Sequence, residues 1–166
     1  AESPADESMR NIEAMNDLVH TIVNCTDKFI IAAIRANAAA GGVFLALSAD
    51  RIIANDSIVL NPHYRNMGNL YGSEYWTYLL PKRLSEKHSE KLMQRRLPIP
   101  AGRAKNIGLI DEVLPVNGSN SLEVIYNYAL DLNQKVNFSQ YSKDKAKMLD
   151  LDNEKKSLES YRTEEI

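Results

Sequence analysis

Two adjacent glycines, Gly41 and Gly42, follow a short apolar segment and open onto a second one at residues 43–49. If the second segment is a helix, the backbone N–H groups at its start are unpaired and lie at the positive end of the helix dipole. Glycine lets a substrate carbonyl approach such an N–H group closely, and the N–H can then stabilise an oxyanion. The same small residues would equally let a helix pack tightly on a strand. Gly41 is therefore a candidate oxyanion donor, with tight packing as the alternative.

The second candidate site is the segment of residues 61–76, which is rich in polar, aromatic and glycine residues without helical or strand periodicity. Irregular segments that are held by a rigid sheet commonly carry function. Its carboxylate, Glu74, stands beside Tyr71, Tyr75 and Trp76. We expect Glu74 in the first turn of the next helix, where the helix dipole favours a negative charge. A capping role for Glu74 and a core role for the rings is the alternative.

Other residue types that could do chemistry are not arranged for it. Of the three histidines only His63 lies in the second candidate segment, and no carboxylate or cysteine stands at metal-ligand spacing to it. The serines lack a Gly-x-Ser-x-Gly context, which disfavours a serine nucleophile. We therefore expect no metal site in this chain.

The elements that must hold these residues are predicted from periodicity. Apolar residues at helical spacing predict a helix to about residue 24, and Ser3, Pro4 and Asp6 are typical of its start. Residues 29–34 predict a strand that is buried on both faces of a parallel sheet. The other predicted elements are helices at residues 43–49, 73–80, 85–94, 101–107 and 122–136, strands at 52–54, 58–61 and 109–114, and one or two solvated helices after residue 139.

Length and composition limit the classes of function. The chain has 166 residues, 44% hydrophobic and 25% charged, which suffices for one domain with a core. A net charge of −2 argues against nucleic acid as the main partner, and no apolar run reaches membrane-spanning length. The single cysteine, Cys25, favours a cytoplasmic location.

Strands with helical crossovers, followed by helices only, predict an α/β fold class. We expect an α/β core at residues 1–118 and a helical C-terminal appendage at residues 119–166. Because residue 1 opens almost directly onto a helix, we also expect the chain to be a piece of something larger.

Three segments, taken in their order along the chain, resemble the crotonase (enoyl-CoA hydratase/isomerase) superfamily. They are residues 30–42, 45–54 and 101–113. The first is similar to its apolar strand that leads through alanines to an oxyanion glycine, the second to its helix–aspartate–strand step, and the third to its A-x-x-A-x-x-x-G-L segment. The resemblance implies a crotonase-like (ClpP/crotonase) spiral core that is N-terminally incomplete, and a coenzyme A thioester as substrate. It also places the second oxyanion donor before residue 1, which leaves open whether the chain is active by itself.

Two positions depart from the hydratases of this superfamily. Those enzymes carry one catalytic glutamate three residues after the oxyanion glycine, where this sequence has Phe44, and a second after the next strands, where it has Tyr64. Hydration needs such groups to activate water and to protonate the α-carbon. We therefore set hydratase chemistry aside.

Four segments closely resemble the HypX-type (HoxX) hydrogenase maturation proteins. They are residues 43–47, 60–64, 66–81 and 154–165. In that family an N-terminal formyl-tetrahydrofolate-type domain precedes a crotonase-like domain. The pair is understood to make the carbon monoxide ligand of nickel–iron hydrogenase by way of formyl-CoA. The resemblance thus implies a formyl-CoA decarbonylating lyase, with that N-terminal domain and hydrogenase maturation proteins as partners.

For such a reaction the resemblance assigns three catalytic candidates. Gly41 is the oxyanion donor, Glu74 transfers the proton, and Tyr64 is its hydrogen-bonding or acid partner; the last two roles are exchangeable. The candidates for substrate binding are Gly42, Phe44, Tyr71 and Tyr75. Two alternatives stay open, namely isomerisation of a larger acyl-CoA with Glu74 as the sole base, and a non-catalytic assembly module.

Overall fold

The computed structural model describes residues 3–63, 72–94, 97–115 and 121–165. Within these ranges the chain forms eight helices and six strands. The helices are α1 (Pro4–Asn24), α2 (Gly41–Leu47), α3 (Trp76–Arg83), α4 (Glu86–Gln94), α5 (Ala101–Asn106), α6 (Ser121–Lys135), α7 (Phe138–Lys155) and α8 (Leu158–Glu165). The strands are β1 (Ile31–Ile34), β2 (Ala38–Ala39), β3 (Arg51–Asn55), β4 (Val59–Asn61), β5 (Ile99–Pro100) and β6 (Glu112–Leu114).

The strands form two three-stranded sheets. In the first, β3 lies between β1 and β6 and both pairings are parallel, with Ile31 opposite Arg51 and Ile53 opposite Glu112. In the second, β4 pairs in parallel with β2 and antiparallel with β5. Parallel strands need crossover connections, and helices provide them here. The predicted α/β class is confirmed.

One hydrophobic core joins the helices to the sheets. Its fully buried members include Val19 of α1, Val43 of α2 and Ile52 of β3. Leu149 of α7 and Leu158 of α8 belong to the same cluster, so the C-terminal helices pack on the core as well. The division of the chain between residues 118 and 119 stays a prediction. None of the helices in the described ranges is long and apolar enough to cross a membrane.

A buried ion pair attaches α7 to the first sheet. Asp50 precedes β3, and its Oδ2 accepts a hydrogen bond from the N–H of Ile30 at 2.7 Å, just before β1. Its Oδ1 accepts from Nζ of Lys145 at 2.7 Å, and both side chains are about 5% exposed. Because the carboxylate keeps a partner on each oxygen, its burial is tolerated.

Several sequence predictions need correction. The strand predicted to be buried on both faces, β1, is only partly buried at all four of its residues. The helix predicted at residues 73–80 begins at Trp76, because Glu74 and Tyr75 have left-handed φ angles of 60° and 56°. Glu74 therefore lies in the turn before the helix and not in its first turn. The solvated character predicted for the C-terminal charges is wrong for Lys145, which pairs with Asp50 in the interior. β2 and β5 were not predicted, since two residues show no periodicity.

The Lys145–Asp50 pair leads to a stability prediction. Lys145→Met removes one member of a buried pair, and the unpaired Asp50 carboxylate then destabilises the fold by about 3 kcal/mol or more. Lys135→Met is the matched control, because its i,i+4 pair with Asp131 is mostly exposed and contributes about 0.5 kcal/mol or less. Urea-dependent hydrogen exchange of the β1 and α7 amides measures both changes. Equal protection in the two variants would contradict the structural role of the buried pair.

Candidate active site

The start of α2 is a strained turn. Ala40, which precedes Gly41, has φ 46° and ψ −126°, a conformation that side-chain-bearing residues rarely adopt. Its N–H donates to the carbonyl of Asn61 at 3.0 Å, and its own carbonyl accepts from the N–H groups of Val43 and Phe44. Within the described residues the N–H of Gly41 has no recorded acceptor. It lies at the positive end of α2.

The carboxylate of Glu74 lies directly against Gly41. A β-carbon built on Gly41 would stand 2.7 Å from Oε1 and 3.0 Å from Cδ of Glu74, which is too close for real atoms. Residue 41 must lack a β-carbon for Glu74 to keep this position. The two groups for which the sequence suggested separate roles are thus neighbours in space.

The turn that carries Glu74 is held from α1. Left-handed residues such as Glu74 and Tyr75 are each less stable by roughly 1 kcal/mol than in ordinary conformations. The N–H of Glu74 donates to Oδ1 of Asn16 at 2.8 Å, and Asn16 is only 1% exposed. Asn16 was not among the site residues predicted from the sequence. The available signal was a polar residue at a core-facing position of α1, three residues before the buried Val19 and seven before the buried Val23.

The aromatic residues of the site pack into the core. The ring of Tyr75 is 1% exposed and its centroid lies 6.2 Å from that of His20 on α1. Burial raises the pKa of Tyr75, and the charge of Arg162 partly offsets the increase. The hydroxyl of Tyr75 has no hydrogen-bond partner in the described part of the chain. Phe44 is fully buried, and its ring centroid lies 6.5 Å from that of Trp76, at the start of α3.

Not every predicted site residue can be placed. Tyr64 and Tyr71 lie outside the described residues, so the expected convergence of Tyr64 and Glu74 stays a prediction. The expected contacts of Gly42, Phe44 and Tyr75 with a substrate are predictions too. In the described ranges, no group of three or more histidine, cysteine, aspartate or glutamate side chains is arranged to hold a metal ion.

A separate cavity of about 360 Å³ lies under α7, away from Gly41. Most of its lining is apolar. The three basic side chains that face it, Lys82, Arg83 and Lys145, are each paired with an aspartate. Because these charges already have partners, the cavity offers no clear means of recognising an anionic ligand.

The chain as a whole is similar to known proteins in sequence and in fold. The family profile described as enoyl-CoA hydratase/isomerase matches residues 2–162, nearly the whole chain. The chain belongs to the enoyl-CoA hydratase/isomerase family. The crotonase resemblance of the sequence is therefore confirmed. An enoyl-CoA hydratase from Bacillus halodurans superposes with a TM-score of 0.74 at 20% identity, covering 97% of this chain and 64% of that chain. At this identity the likeness shows the shared fold of the family.

Two further relatives are more similar to this chain in sequence. The hydrogenase maturation factor HoxX of Bradyrhizobium diazoefficiens is 43% identical over 166 residues, which is 100% of this chain and 29% of the relative. The crystal structure of HypX from Aquifex aeolicus in complex with tetrahydrofolic acid is 45% identical with a TM-score of 0.78. That match covers 89% of this chain and 26% of HypX. The chain therefore spans less than a third of the length of these relatives.

The two glycines of α2 provide a matched test of the close contact with Glu74. Gly41→Ala places a methyl group against the far end of the Glu74 side chain, which must shift, and should destabilise the protein by about 1 kcal/mol, the lower end of the cost of overpacking. Gly42→Ala meets nothing within 4 Å and should be neutral or stabilise by up to about 1 kcal/mol. Urea-dependent hydrogen exchange of α2 distinguishes the two. The same sign and size for both variants would show that Glu74 does not occupy this space.

Phe44 provides a test of the missing hydratase glutamate. Phe44→Glu should not create hydratase activity, because the second carboxylate position is Tyr64 and the new charge enters a fully buried site beside Trp76. Spectrophotometric assay of crotonyl-CoA hydration measures this, with Phe44→Leu as the apolar control. Measurable hydration by Phe44→Glu alone would contradict the interpretation.

Proposed function

We propose that this domain, within a larger protein, releases carbon monoxide from formyl-coenzyme A. Two relatives support the proposal: HoxX is named a hydrogenase maturation factor, and HypX was solved with tetrahydrofolic acid. A formyl-tetrahydrofolate-type domain of the same protein would supply the formyl group, and hydrogenase maturation proteins would receive the product. We place this activity in the cytoplasm.

The observation that carries the proposal is the contact between Glu74 and Gly41. If the N–H of Gly41 holds the carbonyl oxygen of a thioester, the acyl carbon lies beside the same backbone. The three atoms nearest to a β-carbon position on Gly41 all belong to Glu74. A carboxylate that is 4% exposed and this close to the oxyanion donor is well placed to act on the acyl carbon itself.

The proposed reaction breaks one C–H and one C–S bond. The N–H of Gly41 donates a hydrogen bond to the carbonyl oxygen, which positions the formyl group and polarises its carbonyl, so that the formyl C–H is more acidic. The carboxylate of Glu74 takes the formyl proton, and the C–H electron pair stays on carbon. The C–S pair leaves with sulfur, which gives carbon monoxide and a thiolate. The proton then passes to the thiolate to yield free coenzyme A, with Tyr64 as the hydrogen-bonding or acid partner of Glu74.

The residues around this site favour decarbonylation of a one-carbon acyl group over hydration of a longer acyl group. At the position of the first hydratase glutamate stands Phe44, a fully buried hydrocarbon ring packed towards Trp76. Such a ring cannot orient a water molecule for attack on an enoyl group. A formyl thioester needs neither a water nucleophile nor space for an acyl chain.

Glu74→Gln tests the proton-transfer role. The substitution keeps the size of the side chain and removes its capacity to accept a proton. In the full-length protein we expect formyl-CoA to bind as before, and carbon monoxide release to fall about a hundredfold or more, the usual contribution of a general base. Haemoglobin trapping measures the released gas, and calorimetry measures binding of coenzyme A. Tyr64→Phe should impair the same step.

Glu13→Gln is the control, because Glu13 lies on the exposed face of α1. It should release carbon monoxide at the wild-type rate. Normal release by Glu74→Gln would refute the role of Glu74 as the base, and no release by the wild type would refute the proposed activity. Turnover of an enoyl-CoA by the wild type, lost in Glu74→Gln, would instead support the isomerase alternative.

A further inference from the structure

Glu165, in the last turn of α8, caps a helix that lies far away in the sequence. Its Oε1 accepts hydrogen bonds from the N–H of Thr77, at 2.8 Å, and from the hydroxyl of the same residue. Thr77 is the second residue of α3, where the N–H groups have no partner inside the helix. The N-cap residue of α3, Tyr75, provides no side-chain acceptor. Glu165 therefore supplies the hydrogen-bond acceptor that the N-cap residue of a helix usually supplies, although it lies 88 residues away in the sequence.

We infer that Glu165 is a positioning residue, which holds Glu74 against Gly41 by fixing the first turn of α3. The inference rests on the proposed function of Glu74. The left-handed pair Glu74 and Tyr75 directly precedes α3, so any displacement of the start of that helix moves the carboxylate.

The turn is held on its other side by α1. The N–H of Glu74 donates to Oδ1 of the buried Asn16 at 2.8 Å. One hydrogen bond thus enters the turn from α1 and two enter the following helix from α8. A strained turn relaxes when its restraints are removed. Loss of the restraint from α8 therefore moves Glu74 without removing any atom of it.

α8 is itself attached firmly enough to act as a support. Arg162 donates from Nη1 to Oδ1 of Asp17 on α1 at 2.6 Å, and Leu158 is buried in the core. The ring of Tyr161 lies 5.4 Å, centroid to centroid, from that of Tyr78 on α3. These contacts fix the helix on α1 and α3 independently of Glu165.

The electrostatics of Glu165 agree with this position. Burial raises the pKa of Glu165, the hydrogen bonds from Thr77 lower it, and the nearby charge of Glu74 raises it. The carboxylate of Glu165 therefore lies near the backbone of the turn and within electrostatic reach of Glu74.

Substitutions at residue 165 in the full-length protein test the inference. Glu165→Ala removes the acceptor, and we expect kcat for carbon monoxide release to fall tenfold or more with KM within twofold of wild type. Glu165→Gln keeps an acceptor oxygen and should retain kcat within about threefold. Hydrogen exchange of the amides of residues 72–80 should accelerate in Glu165→Ala and not in Glu165→Gln. Leu149→Ala, a core truncation on α7, controls for loss of stability and should leave kcat unchanged.

The outcomes separate this inference from the proposed function. If Glu74→Gln is inactive while Glu165→Ala keeps the wild-type kcat, or if the Gln and Ala variants are equally impaired, the inference is wrong. If the wild type releases no carbon monoxide, the proposed function is wrong, and if wild type and Glu74→Gln release it equally, the proposed role of Glu74 is wrong; in both cases the exchange of residues 72–80 still decides whether Glu165 holds the turn. Should Glu165→Ala not fold, Glu165→Asp shortens the side chain by one methylene and withdraws the acceptor from the N–H of Thr77, and an unchanged kcat and exchange in that variant would overturn the inference.

Discussion

Glu74 fills the space that a β-carbon on residue 41 would need, and the rest of the candidate site is built around that contact. Around this contact, three of the described non-glycine residues have positive φ angles: Ala40, Glu74 and Tyr75. All three adjoin the contact on one side or the other. Strain that is concentrated at one place and opposed by hydrogen bonds from elsewhere is typical of a site in which position matters more than local stability.

The restraints on this contact come from separate parts of the chain. Asn16 holds the N–H of Glu74, Asn61 holds the N–H of Ala40, and Glu165 holds the start of α3. The sheets contribute few residues to the site directly. They set the distances between the helices whose ends form the site. This division explains how a family can keep one fold and vary its chemistry, since the side chains at the helix ends change while the strands stay.

The sequence predicted the elements better than the contacts. Periodicity identified α1, the parallel strands and the apolar α2, because each repeats a pattern over several residues. It placed the start of α3 too early, since nothing in the letters of Ser73, Glu74 and Tyr75 indicates a left-handed turn. Gly41 and Glu74 were each identified by local composition. Their contact, and the roles of Asn16, Lys145 and Glu165, depend on residues that meet only in the folded chain.

The contacts of the C-terminal helices also determine when the domain can become complete. Lys145 meets Asp50 across 95 residues, Glu165 meets Thr77 across 88, and Arg162 meets Asp17 across 145. A ribosome delivers the chain from its N-terminus, and domains generally fold as units. During synthesis the sheets and α2 can therefore emerge long before the last supports of the turn at Glu74. The turn at Glu74 can then be fixed on both sides only after α8 has emerged, so that a nascent chain stalled before α8 would carry the sheets and α2 with this turn held from α1 alone.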